Sequence, residues 1–343
     1  MEKIPEIRVV GNASAEKKDI EVKKIENALV NHLESLSPQD KLQIEKFEYP
    51  KTEKEHALLD FVNRETNRLM EEAGIEPHDI PKENYHILPP ELYKKAAKSN
   101  TNGIAFELRK AILLDAETVR GNMVMFGSIA LHETLHLKSH LSIEVTEGKK
   151  GEINTTPYRV GVSVHALQKD GYHGRYHGHF RGLHEGIVAG TEKRLFKKLL
   201  GQPELEQEKE WLLSPEAFAL RKVLSEKKEI PEDDIVWVDK TNNDCWETIG
   251  YPRQRAVLDY VCTEIQKQFP DRYLDTESVF KEFLKANFTG HLLTIARLVE
   301  ETFGEGSFRL LGNMDTDKAS GVLHLESLKK SRMRELRANT PTQ

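Results

Sequence analysis

Cysteine is nearly absent from this chain: its 343 residues include two, Cys245 and Cys262. That is too few for a disulfide framework, and the pair lacks C-x-x-C spacing, so both are expected to be free, structural thiols suited to a reducing compartment. Long apolar runs are also missing. No segment reaches the roughly eighteen apolar residues that a bilayer-spanning helix needs, and Met1-Glu2-Lys3-Ile4-Pro5-Glu6 has none of the apolar stretch of a secretory signal. The expected location is the cytoplasm, with no membrane partner. There is no basic excess either: 50 Lys and Arg against 56 Asp and Glu leave a net charge of -6, which argues against a nucleic-acid partner. Internal repeats and low-complexity tracts are lacking as well. What remains is 38% hydrophobic and 31% charged, the composition of a soluble globular protein of about two or three structural units.

Apolar residues from Ile20 to Leu36 recur at helical spacing in a highly charged stretch, and a second such helix runs from about Thr52 to a C-cap at Gly74. Together they form a helical N-terminal region over residues 1–80, read as a packing layer. Prolines then punctuate the chain, and short strands are expected at Asn84–Leu88, Ile104–Leu108 and Ala111–Asp115. A long buried helix follows, from about Thr118 to Leu141. A strand at Tyr158–His165 and a turn at Lys169-Asp170-Gly171 open a hairpin whose return arm is Tyr172–Arg181. A second helix begins near Gly182 and ends by Gly201-Gln202-Pro203. Residues 203–327 are expected to be mainly helical, with Ile235–Val238 a lone strand or buried loop, and residues 328–343 a fraying tail.

The chemistry is concentrated in His132-Glu133-Thr134-Leu135-His136, an H-E-x-x-H sequence within an apolar run. Residues four apart share one helix face, so His132 and His136 can bind one metal ion, while Glu133 reaches the space beside it. This is the zinc-protease arrangement in outline. Eight of the fourteen histidines (132, 136, 140, 165, 173, 177, 179 and 184) fall between 132 and 184, where an even spread would put about two. Zinc needs a third protein ligand and an open position for water. Glu185, at the start of the second helix, is favoured. Glu192, seven residues on and on a similar face, is the runner-up, followed by His140 or a hairpin histidine. His140 sits about 12 Å from His132 along the helix axis at 1.5 Å per residue, and Ser139 and Ser142 stand where the H-E-x-x-H-x-x-G-x-x-H pattern requires glycine and histidine.

His132-Glu133-Thr134-Leu135-His136, a hairpin and then His184-Glu185-Gly186 opening a second helix resembles the gluzincin metallopeptidases, the thermolysin-like clan whose third ligand is a glutamate on a later helix. Leu183-His184-Glu185-Gly186 with Thr191-Glu192 looks like a variant of an N-E-G-x-T-E element seen in several bacterial families of that kind. The resemblance covers about residues 85–200 and implies an α+β fold with a zincin-like core at 81–202, a small sheet packed on the motif helix, between mainly helical flanks. It also implies one Zn2+ ion held by His132, His136 and Glu185, and hydrolysis of a peptide or protein substrate with Glu133 as general base. The chain departs from the clan where Ala189 replaces an acid that orients the first histidine, and where Lys138 replaces an apolar residue; Glu192 or a hairpin group is the substitute support. A second oxyanion donor is sought among Tyr158, His165, Tyr172, Tyr176, His177, His179 and Tyr251. The competing expectation is a catalytically inactive zincin-like protein that binds metal or a regulatory partner.

Overall fold

A computed structural model describes residues 7–35, 38–97, 101–166, 177–240 and 246–338. The expected Lys169-Asp170-Gly171 turn, Tyr172, His173, Tyr176, the His177 side chain and Cys245 lie outside this description; Cys262 is buried. The fold is α+β. Its chain divides into two compact units, each assembled from several stretches: one from Met1–Lys138, Val145–Thr156 and Glu192–Gly250, the other from Ser139–Glu144, Pro157–Thr191 and Tyr251–Gln343.

The first unit is built on a three-stranded sheet. Ala111–Asp115 lies at its centre with all five residues buried, paired in parallel with Tyr85–Leu88 and antiparallel with Gly103–Phe106. A fully buried Ala-Ile-Leu-Leu-Asp run suits a central strand covered on both faces. The motif helix, Met123–Lys138, packs on this sheet and on the helix Glu53–Glu72. That covering helix starts from a capping box in which Thr52 and Glu55 satisfy each other's backbone N–H groups. The buried Asn63 side chain then bonds both the N–H and the carbonyl of Ile80, each at 2.9 Å. The unit also holds the helices Ala15–Val30, Pro38–Phe47, Pro90–Ala97, Glu206–Leu212 and Pro215–Lys228 and a two-stranded ladder, Ile235–Val238 with Trp246–Thr248.

The motif helix is shorter than its periodicity predicts. Gly121, at φ +89°, takes a left-handed turn that separates Ala116–Val119 from it, and Asn122 Oδ1 accepts the Met125 N–H at 3.1 Å in place of a lost intrahelical partner. At its other end the chain becomes a strand, Leu141–Glu147, whose Leu141, Ile143 and Val145 alternate into the core.

In the second unit the expected single strand over Tyr158–His165 is two. Gly161, at φ +56°, turns the chain between Ile153–Val160 and Ser163–Ala166, and the latter also pairs with His177–His179. Around Pro252–Gln268, with Val257, Leu258, Val261, Cys262 and Ile265 buried, pack the helices Thr276–Thr289, Leu293–Phe303 and Lys318–Ala338. The tail expected to fray from Leu328 instead continues as the last of these helices to Ala338. It is anchored by a fully buried Leu328 and by Arg332, whose guanidinium bonds Glu264, Gln268 and the carbonyl of Thr302. No helix among the described residues is long and apolar enough to cross a membrane.

Two buried histidines of the first unit make its stability pH-dependent. His78, with no hydrogen-bond partner at Nδ1 among the described residues, is pushed down to about 3 by burial and by the nearby Lys138 and Lys110 charges. His32 meets His86 Nε2-to-Nε2 at 2.6 Å and is pushed down to about 4 by burial first and then by the His86 charge, with Glu48 opposing. Both folded values lie below the ordinary 6.5, so between these limits the unfolded chain binds more protons. The contribution of these two histidines is fully present above pH 6.5 and is lost as pH falls through that window. Each site should cost about 2 kcal/mol at pH 5 by linkage. Thermal melts should therefore fall by several degrees from pH 7.5 to 5, and His78→Leu should flatten part of that slope; a melt indifferent to pH over this range would disprove the assignment.

Candidate metal centre

The motif helix is apolar almost all round, as a helix enclosed by a sheet and another helix must be: every residue from Val124 to Leu131 is buried. Gly127 allows this enclosure. A Cβ there would sit 2.8 Å from Leu199 Cδ1, so the missing side chain brings the motif helix close to the helix Arg181–Leu200, hereafter the glutamate helix. Thr134 is turned inward, its hydroxyl donating to the Ala130 carbonyl at 2.6 Å and accepting from the Tyr85 hydroxyl at 2.7 Å.

Lys138, the departure noted where an apolar residue was expected, is buried. Its ammonium reaches Thr66 Oγ1 at 2.8 Å and Asn67 Oδ1 at 2.6 Å on the covering helix. Its methylene stem packs as an apolar residue would, and the charge finds polar partners instead of solvent.

Glu192 fills the role left open by Ala189. It is buried, accepts the Ser128 hydroxyl at 2.5 Å through Oε1, and meets His132 Nδ1 at 2.9 Å through Oε2. A carboxylate only accepts, so His132 carries its proton on Nδ1 and presents a bare Nε2. Nε2 of His132 and Nε2 of His136 face each other at 3.2 Å. A tetrahedral ion with bonds of about 2.0–2.1 Å separates its ligand atoms by roughly 3.3 Å, so this pair already has the spacing that one zinc ion requires. Glu185 lies two turns before Glu192 on the continuous glutamate helix, and one ligand atom each of His132, His136 and Glu185 fall within 4.8 Å of one another. Two imidazoles and a carboxylate, with one imidazole braced by a second carboxylate, are a donor set that fits zinc.

Glu133, next to His132 in the chain, is buried on the sheet side of the helix. A Cβ on Gly103 would lie 3.0 Å from Glu133 Cγ and 3.1 Å from Oε1, so the strand Gly103–Phe106 runs against the carboxylate with its backbone. Among the described residues no further strand pairs with the outer edge of Gly103–Phe106.

The structure thus brings together His132, His136 and Glu185, gives Glu192 to His132 Nδ1, and turns Glu133 toward Gly103. His140 lies beyond the helix end, bonded through Nε2 to Ser142 Oγ at 2.9 Å, and takes no part in the three-residue group. Of the candidates for oxyanion donor, Tyr158 and His179 are exposed, His165 is half-buried on Ser163–Ala166, and Tyr251 caps the helix Pro252–Gln268 in a left-handed conformation. Sequence reasoning missed Ser128, although it stands one turn before His132 on the same face and the i, i+4 relation was there to be read. No protein-family model, no curated protein and no solved structure matches this chain.

Proposed function

We propose that this chain is a zinc-dependent metallopeptidase of gluzincin type, with a zincin-like core formed by the three-stranded sheet and the motif helix. The observation that carries this reading is the convergence of His132, His136 and Glu185 next to an intact Glu133. A bound zinc ion supplies Lewis acidity to the scissile carbonyl and makes water a better nucleophile at neutral pH. The chain's own residues do the rest. Glu133 takes a proton from the attacking water as its oxygen bonds to the carbonyl carbon, and returns that proton to the amine nitrogen as the C–N bond breaks. Glu192 and Ser128 hold the His132 ring in one tautomer and one orientation throughout.

The edge of Gly103–Phe106, unpaired among the described residues, supports an extended peptide as substrate, because such a chain can add to the sheet as a strand beside the residue that packs on Glu133. The protein purified without chelators should hold one zinc per chain, cleave a peptide library, and lose that activity on zinc removal and regain it on zinc return. Protein that binds no zinc would defeat the reading. Stoichiometric zinc without turnover across a broad peptide set would favour metal binding in a regulatory role.

A further inference from the structure

Asn287, on the helix Thr276–Thr289, is buried and bonded to Val162 and to segments that flank the proposed ligands. Its Oδ1 accepts the Val162 backbone N–H at 3.2 Å and meets His184 Nδ1 at 2.8 Å, its Nδ2 donates to Ser139 Oγ at 2.8 Å, and its backbone carbonyl accepts the His140 N–H at 3.0 Å. A backbone N–H can only donate, so the Val162 contact fixes which way the amide points. His184 must then donate from Nδ1, which sets its tautomer as well.

Gly161 closes the knot. Its N–H donates to the His140 carbonyl at 2.7 Å, and a Cβ on it would lie 2.1 Å from Asn287 Oδ1 and 2.7 Å from His184 Nδ1. Side-chain freedom is therefore removed from both directions: by hydrogen bonds from Asn287 and by the close backbone of a left-handed glycine.

The chain positions of these partners give the network its meaning. Ser139 and His140 are the residues that leave the motif helix after His136, and His184 immediately precedes Glu185. One buried amide thus holds the exit of the segment that carries the histidines and the start of the segment that carries the glutamate.

Building on the zinc reading above, we propose that Asn287 is a positioning residue of the metal centre: through Ser139, His140 and His184 it fixes the separation between the histidine pair and Glu185. Asn287 touches neither zinc nor substrate in this scheme. It determines how long the three-ligand arrangement survives each fluctuation, and hence how fast zinc leaves.

The test is the zinc dissociation rate of the full chain, measured by a chelator chase, together with the visible spectrum of the Co2+-loaded protein. Asn287→Ser and Gly161→Ala should each release zinc at least tenfold faster, in the range seen when residues that orient metal ligands are removed, and should alter the cobalt spectrum. Asn287→Asp keeps both acceptor contacts and lets the Ser139 hydroxyl turn to donate, so it should stay near the wild-type rate. Arg332→Gln, which cuts the hydrogen bonds of a buried guanidinium to Glu264, Gln268 and Thr302, is the control for general weakening of the same unit and should leave release unchanged. Release from Asn287→Ser and Gly161→Ala no faster than from Arg332→Gln overturns the positioning role while the metallopeptidase reading stands. A wild-type protein that holds no zinc overturns both.

Discussion

Glu133→Gln should leave one zinc per chain and reduce peptide hydrolysis by about a thousandfold or more, the upper range for loss of a general acid–base group. The substitution keeps the size of a side chain packed against Gly103 and replaces a carboxylate that can take a proton by an amide that cannot. Metal content and folding should be indistinguishable from wild type, because Glu133 is outside the three-residue group formed by His132, His136 and Glu185. The check pairs zinc analysis with turnover on one batch of protein. Undiminished turnover would remove Glu133 from the mechanism; lost zinc would place it among the ligands instead.

The second large effect separates the two glutamates of one helix. Glu185→Ala removes a proposed ligand, leaves two imidazoles, and should yield protein that is isolated without zinc. Glu192→Ala removes the acceptor of His132 Nδ1 and of the Ser128 hydroxyl. It should weaken zinc binding by about 10–100-fold and still permit full occupancy at saturating metal. Competition titrations against a chelator distinguish the outcomes. If the effects were exchanged, with zinc lost from Glu192→Ala and kept by Glu185→Ala, the assignment of ligand and brace would be reversed.

The sequence made the helices and the central strand legible because their signals are local. Glu53–Glu72, Ala111–Asp115 and Arg181–Leu200 lie close to where periodicity and caps predict them. The H-E-x-x-H spacing identified the paired histidines for the same reason, since four residues on a helix is a geometry known in advance. Turns governed by one glycine were harder. Gly121 divides a helical pattern and Gly161 divides a strand pattern, and in both cases a positive φ, not the hydrophobic spacing, sets the boundary. The last helix was misread from its basic composition, which conceals Leu328 and Arg332 facing a core assembled from distant segments. Asn287 was invisible for a related reason: its partners at Ser139, Val162 and His184 lie more than a hundred residues away in the chain. The two units interleave in the same way, and a reading made in chain order yields consecutive segments.

At Gly103 the sheet meets Glu133 with main chain alone, since any Cβ would collide with Ile129 Cγ2 at 2.3 Å and crowd the carboxylate. Under the proposed reading, a peptide that adds to the edge of this strand meets a wall of main-chain amide groups, and these bond alike whatever side chains the substrate carries. Contact along that wall is therefore sequence-blind. It aligns any extended chain and prefers none, so discrimination between substrates would have to arise from the side chains that rim the path before and after it.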